Sequence, residues 1–261
     1  MEKPELENIA KTLHEARLNA SPITQLSKQN ITLTRAEAYG VQEAGIILRE
    51  QSGETRIGLK MGLTSEGKRR QMNLDSPLYG ELTDKMKIDS IARLDISGSI
   101  HSKIEPEIAF MTGFDLEGDV TREQVLAATQ AVCACLEILD SRYEQFKYFS
   151  MEDVIADNSS SSYFVTGPWT EDFKGTDLRK LNMKMYVNGE LVHEAQSNEI
   201  SGDPVVSVIE LCKLLKERNR KLPAGSIVLA GAATAAVALQ KGMIVKLQVD
   251  SLPELQVGVA P

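Results

Sequence analysis

The first fifty residues carry their apolar side chains at the spacing of an amphipathic helix. The apolar positions of the first helical stretch are Leu6, Ile9, Ala10 and Leu13. A second helix is predicted to begin after Thr34 and to run to about Arg49, because Thr34 and Glu37 form a capping box. The pattern therefore predicts a helical segment over residues 1–52.

Beyond residue 52, short apolar segments alternate with glycine, aspartate and proline, a pattern typical of strands joined by tight turns. Strands are predicted over 56–64 (ending at Gly62), 104–110, 226–230 and 243–249, and a hairpin over 183–194 with Asn188-Gly189 as a type I′ turn. Helices are predicted from 122 to about 131, after a capping box of Thr121 and Gln124, and from 205 to 218. We therefore expect an α+β fold whose β-rich body covers residues 53–261.

Composition limits the classes of partner. The 261 residues are 42% apolar and 25% charged, which is typical of a globular protein with a sizeable core. A net charge of −8 leaves no basic surplus for nucleic acid or an anionic membrane. A small anionic substrate remains compatible with this charge, because a bound cation reverses the local field.

Targeting signals and cysteine patterns add little. The N-terminal stretch MEKPELENIA has no apolar core of a signal peptide, and the apolar run from Ile227 to Leu239 is too short to span a bilayer. Cys133, Cys135 and Cys212 match neither a disulfide framework nor a zinc site, so we expect reduced, buried thiols. These features predict a cytoplasmic protein.

The most informative string is IEPEIAF, residues 104–110. With a strand's period of two, Glu105 and Glu107 share one face, and isoleucine and phenylalanine side chains occupy the other. Two such residues lie about 6.6 Å apart along the strand, so both carboxylates can bend toward one point. Burying two carboxylates together costs free energy unless a cation lies between them.

A divalent cation suits this arrangement. Mg²⁺ or Mn²⁺ binds oxygen ligands at about 2.0–2.2 Å, and Glu137, within the apolar run VCACLEIL, is a candidate third ligand. The alternative is an edge strand with solvated glutamates, which Pro106 would also suit. From the residues alone, both interpretations stay open.

Two other segments offer polar groups for catalysis. Lys60, between Gly58 and Gly62, is a candidate general acid or base if burial lowers its pKa, with a snorkelling surface lysine as the alternative. The polar block 157–162 is either a loop or cap, or a source of hydroxyl donors for a substrate carboxylate. The three histidines are scattered and form no constellation.

Six strings taken together identify a resemblance that covers the chain from about residue 5 to its end. They are GLKMGLTS (58–65), SPLYG (76–80), KIEPEIA (103–109), LEILDSRYEQFKY (136–148), IADNSSS (155–161) and PAGSIVLAGAATAAVAL (223–239). In order and spacing they resemble the 4-oxalocrotonate decarboxylases and the related 2-hydroxypentadienoate hydratases, which belong to the fumarylacetoacetate hydrolase superfamily. The resemblance implies a β-rich core of curled mixed sheets, an N-terminal helical part and assembly into homo-oligomers.

The same resemblance assigns roles to individual residues. It implies that Mg²⁺ or Mn²⁺ binds to Glu105, Glu107 and Glu137, with Lys60 beside the metal as the catalytic residue. The substrate-binding residues that it implies are Ser160, Leu78 and Tyr79, together with Arg142, for which a structural salt bridge is the alternative.

The resemblance also separates two reactions. The hydratases usually read Gln-Pro-Asp-Phe-Gly where this chain has SPLYG, and the decarboxylases read Thr-Pro-Ile-Tyr-Gly. We therefore expect metal-dependent decarboxylation of 2-oxo-3-hexenedioate in the meta-cleavage catabolism of aromatic compounds. The alternatives are the hydratase itself and a non-catalytic partner subunit of that hydratase, since decarboxylases of this family associate with it. One departure is Asp203, which stands where the family usually has histidine.

Overall fold

A computed structural model describes residues 1–65, 69, 76–89, 93–146 and 150–261. Lys147 and Tyr148, the end of one string on which the resemblance depends, lie outside the described residues. The α-helices in the described ranges are α1 (Lys3–Leu18), α2 (Arg35–Gln51), α3 (Arg122–Ala128), α4 (Met151–Ala156) and α5 (Pro204–Lys216). Among them, no helix is both long and apolar enough to cross a membrane.

The strands of the described chain form two sheets. The strands of the large sheet are β1 (Arg56–Gly62), β2 (Leu78–Thr83), β3 (Lys87–Ile88), β5 (Lys103–Thr112), β6 (Thr129–Leu139), β7 (Ser161–Thr166), β10 (Ile227–Leu229) and β11 (Val237–Ala238). Those of the smaller sheet are β4 (Arg93–Leu94), β8 (Asn182–Val187), β9 (Glu190–Gln196), β12 (Ile244–Val249) and β13 (Leu252–Val259). Parallel and antiparallel pairs occur together in both sheets, which confirms the predicted α+β class with mixed sheets.

The order of the large sheet is β2-β1-β10-β5-β6-β7-β3, and β11 pairs with the beginning of β5. This order places β5 in the interior of the sheet, hydrogen-bonded to β10 on one side and β6 on the other. Strands β12 and β13 of the smaller sheet pack against β6, so β6 is buried along nearly its whole length. The interior position of β5 decides the environment of its glutamates.

The predicted helices are present at the N-terminus. The capping box of α2 forms as expected, with the Glu37 amide donating to Thr34 Oγ1 and the Thr34 amide donating to Glu37 Oε2. Helices α1 and α2 pack together, and Ile9, Leu13 and Val41 belong to the same hydrophobic core as the sheet residues. The helical segment thus shares a continuous core with the β-rich body.

Two other local predictions are confirmed, one with a shifted boundary. The Asn188-Gly189 turn has φ values of 51° and 87°, both positive as a type I′ turn requires. The capping box of Thr121 and Gln124 opens α3, but this helix ends at Ala128 rather than near 131. The β-branched Thr129 and Val132 begin β6 at that point, where extended backbone is favoured.

The edge-strand interpretation of Glu105 and Glu107 is wrong, because β5 has neighbours on both sides. Pro106 is tolerated in this interior strand for a local reason. Its carbonyl accepts the Ala233 amide at 3.1 Å, on the side where β10 has already ended. In an antiparallel ladder the N–H and C=O of one residue point the same way, so the missing N–H of Pro106 faces the 230–236 loop and β6 loses no hydrogen bond.

Candidate metal centre

Three carboxylates meet on one face of the β5–β6 pair. Glu105 and Glu137 are directly opposite each other in the antiparallel register, and Glu107 lies two residues further along β5. Each of the three offers an oxygen within 4.8 Å of the others. Glu107 and Glu137 are buried, with 0% and 1% exposure, and Glu105 is half-buried. The sheet register therefore brings together the three residues that were predicted to bind a metal.

The electrostatics of this cluster favour a cation. Burial raises the pKa of Glu107 well above its ordinary value, and the charges of Glu137 and Glu105 act in the same direction. The Gly231 amide donates to Glu107 Oε2 at 2.7 Å, but among the described residues Oε1 of Glu107 accepts no hydrogen bond, and Oε1 of Glu137 has an ion-pair contact with Lys60 at 3.1 Å without hydrogen-bond geometry. A buried carboxylate oxygen without a hydrogen bond, beside two further carboxylates, fits a hard divalent cation such as Mg²⁺ or Mn²⁺.

Lys60 lies beside the carboxylates. Its Nζ is 3.1 Å from Glu137 Oε1 and donates a hydrogen bond to Oε2 at 3.3 Å. The side chain is only 3% exposed, so the interpretation of Lys60 as a snorkelling surface lysine is wrong. Gly58 allows β1 to approach β10, because a Cβ at this position would lie 1.9 Å from the Ile227 carbonyl oxygen. This close packing holds Lys60 at the carboxylates.

A cavity of about 470 Å³ opens from the carboxylate cluster. Its apolar lining residues are Met61, Leu63, Leu78, Leu139, Phe146, Val154, Ala232 and Ala236, and its polar ones are Lys60, Thr64, Ser65, Lys103, Glu105, Ser159 and Ser160, with Gly62 between them. This volume suits a small organic molecule. Its charged side chains, Lys60, Lys103 and Glu105, come from β1 and β5.

The polar block at 157–162 forms an unusual turn on the cavity wall. Asn158, Ser159 and Ser160 all have left-handed backbone, with φ values of 50°, 54° and 54°. The Asn158 side chain accepts from the Glu81 amide at 2.8 Å and donates to the Glu81 carbonyl at 3.0 Å. A Cβ at Gly80 would lie 2.7 Å from the Asn158 carbonyl oxygen, so glycine is needed beside this turn. The turn presents Ser159 as well as the predicted Ser160 to the cavity.

Two predicted substrate contacts need correction. Tyr79 follows Leu78 in β2, and because side chains alternate across a strand, Leu78 faces the cavity and Tyr79 faces the other way. The Tyr79 ring is fully buried and stacks on Tyr39 with ring centroids 4.6 Å apart. The string SPLYG therefore enters strand β2 at Leu78.

Arg142 does not line the cavity either. Its guanidinium forms an ion pair with Asp157 and donates to the carbonyls of Asp140, Ser161 and Asp157. Both members of the pair are almost fully buried. Arg142 therefore has the structural salt bridge that was its alternative role, and the predicted contact with substrate is corrected.

Asp203 also has a structural role away from the cavity. Its Oδ1 accepts the Val205 amide at 2.9 Å as the N-cap of α5, and its Oδ2 lies 2.7 Å from Arg122 Nε. The sequence patterns did not single out Lys103 or Gly231, which the structure places at or beside the site. Lys103 shares the period-two alternation of Glu105 and Glu107, so the pattern that identified the glutamates also points to it.

Comparisons with known proteins agree with this site. Residues 83–260 match the family model described as "Fumarylacetoacetate (FAA) hydrolase C-terminal". A 4-oxalocrotonate decarboxylase from Pseudomonas sp. is 40% identical over 96% of this chain and 96% of that protein. A 2-hydroxyhexa-2,4-dienoate hydratase from Comamonas testosteroni is 35% identical over 88% of each chain.

A solved structure resembles the whole fold. It is the 4-oxalocrotonate decarboxylase from Pseudomonas putida G7, determined in complex with magnesium and adipate. The two folds superimpose with a TM-score of 0.94 at 35% identity, over 98% of each chain. The match covers both sheets and the N-terminal helices.

Proposed function

The chain belongs to the fumarylacetoacetate hydrolase family, in the group that contains the 4-oxalocrotonate decarboxylases and their related hydratases, and on that premise we propose that it is a metal-dependent decarboxylase. Its substrate is 2-oxo-3-hexenedioate, its products are 2-hydroxypenta-2,4-dienoate and CO₂, and its cofactor is Mg²⁺ or Mn²⁺. The observation that carries the proposal is the cluster of Glu105, Glu107 and Glu137 with Lys60 beside it, next to a cavity of about 470 Å³.

The reaction breaks the bond between C5 and C6. The electron pair of that bond forms a C4–C5 double bond, the C3–C4 double bond moves to C2–C3, and the charge arrives on the C2 oxygen. Protonation of this oxygen gives the dienol, and C6 leaves as CO₂. The enzyme must therefore stabilise negative charge at the C2 oxygen while C6 becomes neutral.

Glu105, Glu107 and Glu137 would hold the cation, which when bound supplies a Lewis acid for the oxygen that becomes negative. Lys60 also lines the cavity, where its ammonium group would donate to the C2 oxygen and supply the proton that completes the enol. Ion pairing with Glu137 holds the Lys60 side chain in place. Preorganised positive charge of this kind costs no reorganisation during the reaction.

The apolar cavity walls would surround the carbon chain of the substrate. Leu78, Leu139 and Val154 form an apolar environment that accepts neutral CO₂ as it forms. The Ser159 and Ser160 hydroxyls would orient the substrate by hydrogen bonds from the left-handed turn.

Leu78 also bears on the choice between the two reactions. Adding water to the dienol requires a group that takes a proton from water or delivers one to carbon. Hydratases usually have an acidic residue at the position of Leu78, and this chain has an apolar wall there. We therefore favour decarboxylation over hydration.

One assay separates the alternatives. Purified protein receives 2-oxo-3-hexenedioate with Mg²⁺, with Mn²⁺ or with excess chelator, and CO₂ release is measured. Metal-dependent CO₂ release supports the proposal, and equal turnover in chelator contradicts it. In parallel, 2-hydroxypenta-2,4-dienoate is supplied as substrate. Formation of 4-hydroxy-2-oxopentanoate without CO₂ release from the dicarboxylate would identify the hydratase, and no turnover of either compound would indicate a non-catalytic subunit.

The wider setting belongs to the same proposal. We propose a cytoplasmic enzyme of meta-cleavage catabolism that assembles into homo-oligomers and associates with a 2-hydroxypentadienoate hydratase, which would consume its unstable product. Light scattering on the purified chain tests assembly into homo-oligomers. Co-purification tests the association with the hydratase. We also propose that residues 1–52 are an N-terminal helical segment and residues 53–261 the β-rich catalytic domain, packed around one core.

A further inference from the structure

A second cation lines the cavity away from the carboxylate cluster. Among the described lining residues, the cationic side chains are Lys60 and Lys103, and Lys60 is engaged with Glu137. Lys103 lies on β5, on the same face as Glu105 and Glu107, one repeat of the strand before them. The cavity thus has a positive group on the far side of Glu105.

An aromatic ring holds the Lys103 side chain. The Lys103 Nζ lies 4.3 Å from the centroid of the Phe146 ring, and the His101 ring lies 6.4 Å from the same centroid. Lys103 is half-buried, and both it and Phe146 line a neighbouring groove, so they separate the cavity from that groove. A lysine over an aromatic face keeps its charge and its three donors, which leaves it able to bind an anion.

The spacing matches a six-carbon dicarboxylate. Lys103 and Glu105 are about 6.6 Å apart along the strand. Five carbon–carbon bonds of about 1.5 Å span roughly 6 Å when extended. A six-carbon dicarboxylate is therefore about as long as the backbone spacing between Lys103 and Glu105, whose side chains line the same cavity.

We propose that Lys103, held over Phe146, binds the second carboxylate of the substrate and so selects dicarboxylates over monocarboxylic 2-oxo acids. The inference rests on the proposed function for the identity of the substrate. Its physical basis is a charge-assisted hydrogen bond in a half-buried site, where solvent screens the pair less than in bulk water.

The carboxylate at Lys103 is the one that leaves, and this determines the kinetic signature. Its charge is present in the bound substrate and is lost as CO₂ forms, so Lys103 stabilises the ground state at least as much as the transition state. Removing the ammonium should therefore raise KM without lowering kcat. A residue that merely supports the fold, or that assists the chemical step, would lower kcat.

Two inert ligands test the proposal without turnover. Adipate carries both carboxylates, and 2-oxohexanoate has the same chain length with only the 2-oxo acid end. Their affinities for the Mg²⁺-loaded protein are measured by calorimetry for wild type, Lys103→Met and Lys103→Arg. The control is Lys246→Met, since Lys246 lies 4.9 Å from the Tyr186 ring centroid, in the same kind of contact but on the smaller sheet.

Lys103→Met should weaken the affinity for adipate about 10- to 100-fold, which is the range for a hydrogen bond between charged groups. The affinity for 2-oxohexanoate should change less than about twofold. Lys103→Arg should keep most of the wild-type affinity for adipate, and Lys246→Met should leave the affinities for both ligands unchanged. The inference would be overturned if Lys103→Met weakened the affinities for both ligands equally or left the affinity for adipate unchanged. It would also be overturned if the wild type did not bind adipate. If the wild type shows this selectivity but releases no CO₂, the proposed reaction fails and the role of Lys103 as a dicarboxylate-binding residue stands.

Discussion

Lys60 Nζ lies 3.1 Å from Glu137 Oε1, and both side chains are almost completely buried. A buried lysine and a buried glutamate stabilise each other, and loss of either leaves a charge without its partner. Here Glu137 also faces two further carboxylates, so Lys60 supplies the positive charge that the protein itself contributes to the cluster. The pair therefore couples Lys60, the proposed catalytic residue, to the electrostatic balance of the candidate metal centre.

Lys60→Met should lower kcat/KM for decarboxylation by at least about 100-fold, because general acid–base catalysis typically contributes 10²- to 10⁴-fold. The three glutamates remain, so Mn²⁺ binding should persist and strengthen, since the competing ammonium is gone. Steady-state kinetics and Mn²⁺ titration by electron paramagnetic resonance provide the two readouts. Loss of Mn²⁺ binding in this variant would mean that Lys60 maintains the site rather than acting on substrate.

Glu107→Gln should abolish metal-dependent turnover and yet leave the protein folded. The glutamine carbonyl can still accept from the Gly231 amide, and the substitution removes a buried charge that two neighbouring carboxylates repel. In the absence of metal, the variant should therefore unfold at the same temperature as wild type or a few degrees higher. A circular-dichroism melt measures this, and an unfolded variant or wild-type turnover would contradict the prediction.

Metal binding should itself stabilise the wild type. A ligand that binds only the folded state at 100 times its Kd adds about 2.7 kcal/mol to the free energy of unfolding. Saturating Mg²⁺ should therefore raise the unfolding temperature of the wild type, and excess chelator should reverse this change. Glu107→Gln should show little or no shift. An equal shift in both proteins would place the cation outside the carboxylate cluster.

Local sequence patterns predicted the features that depend only on residues close together in the chain, such as strand faces and helix starts. The period of two assigned Glu105 and Glu107 to one face, and capping boxes located the beginnings of α2 and α3. The meeting of Lys60 with Glu137 depends on the strand order β1-β10-β5-β6, which joins segments 77 residues apart. No short-range pattern encodes that order. The residues alone therefore leave the role of Lys60 undecided, and only the family resemblance predicts that it lies beside the metal site.

Other misjudged positions have the same origin. The resemblance implies substrate contacts for both Leu78 and Tyr79, and only the strand alternation of β2 shows that these two side chains face opposite ways. Arg142 was ambiguous because its partner Asp157 comes from a separate turn. The left-handed conformation of three consecutive residues was not predictable, because serine has no strong preference for it.

Asn158→Ala should reduce both stability and activity. It removes two hydrogen bonds to Glu81, each worth about 0.5–1.5 kcal/mol, and places alanine in a left-handed conformation that asparagine tolerates better. We expect about 1–3 kcal/mol less stability in urea unfolding and a higher KM, since the turn also carries the serines of the cavity wall. Ser160→Ala is the matched comparison, and it should raise KM at nearly unchanged stability.

Arg142→Met tests the corrected role of Arg142. Removing one member of a buried ion pair typically costs about 3–5 kcal/mol, because the remaining charge has no partner.

Burial already raises the pKa of Asp157 to about 6, with Arg142 opposing this effect, so the pKa should rise further in the variant. A carboxyl whose folded-state pKa lies above its unfolded value stabilises at low pH and loses that contribution as pH rises through the folded-state pKa. The stability deficit of Arg142→Met, measured by urea unfolding, should therefore be larger at pH 8 than at pH 5, and KM of the folded enzyme should change little. A large rise in KM with wild-type stability would instead restore Arg142 as a substrate-binding residue.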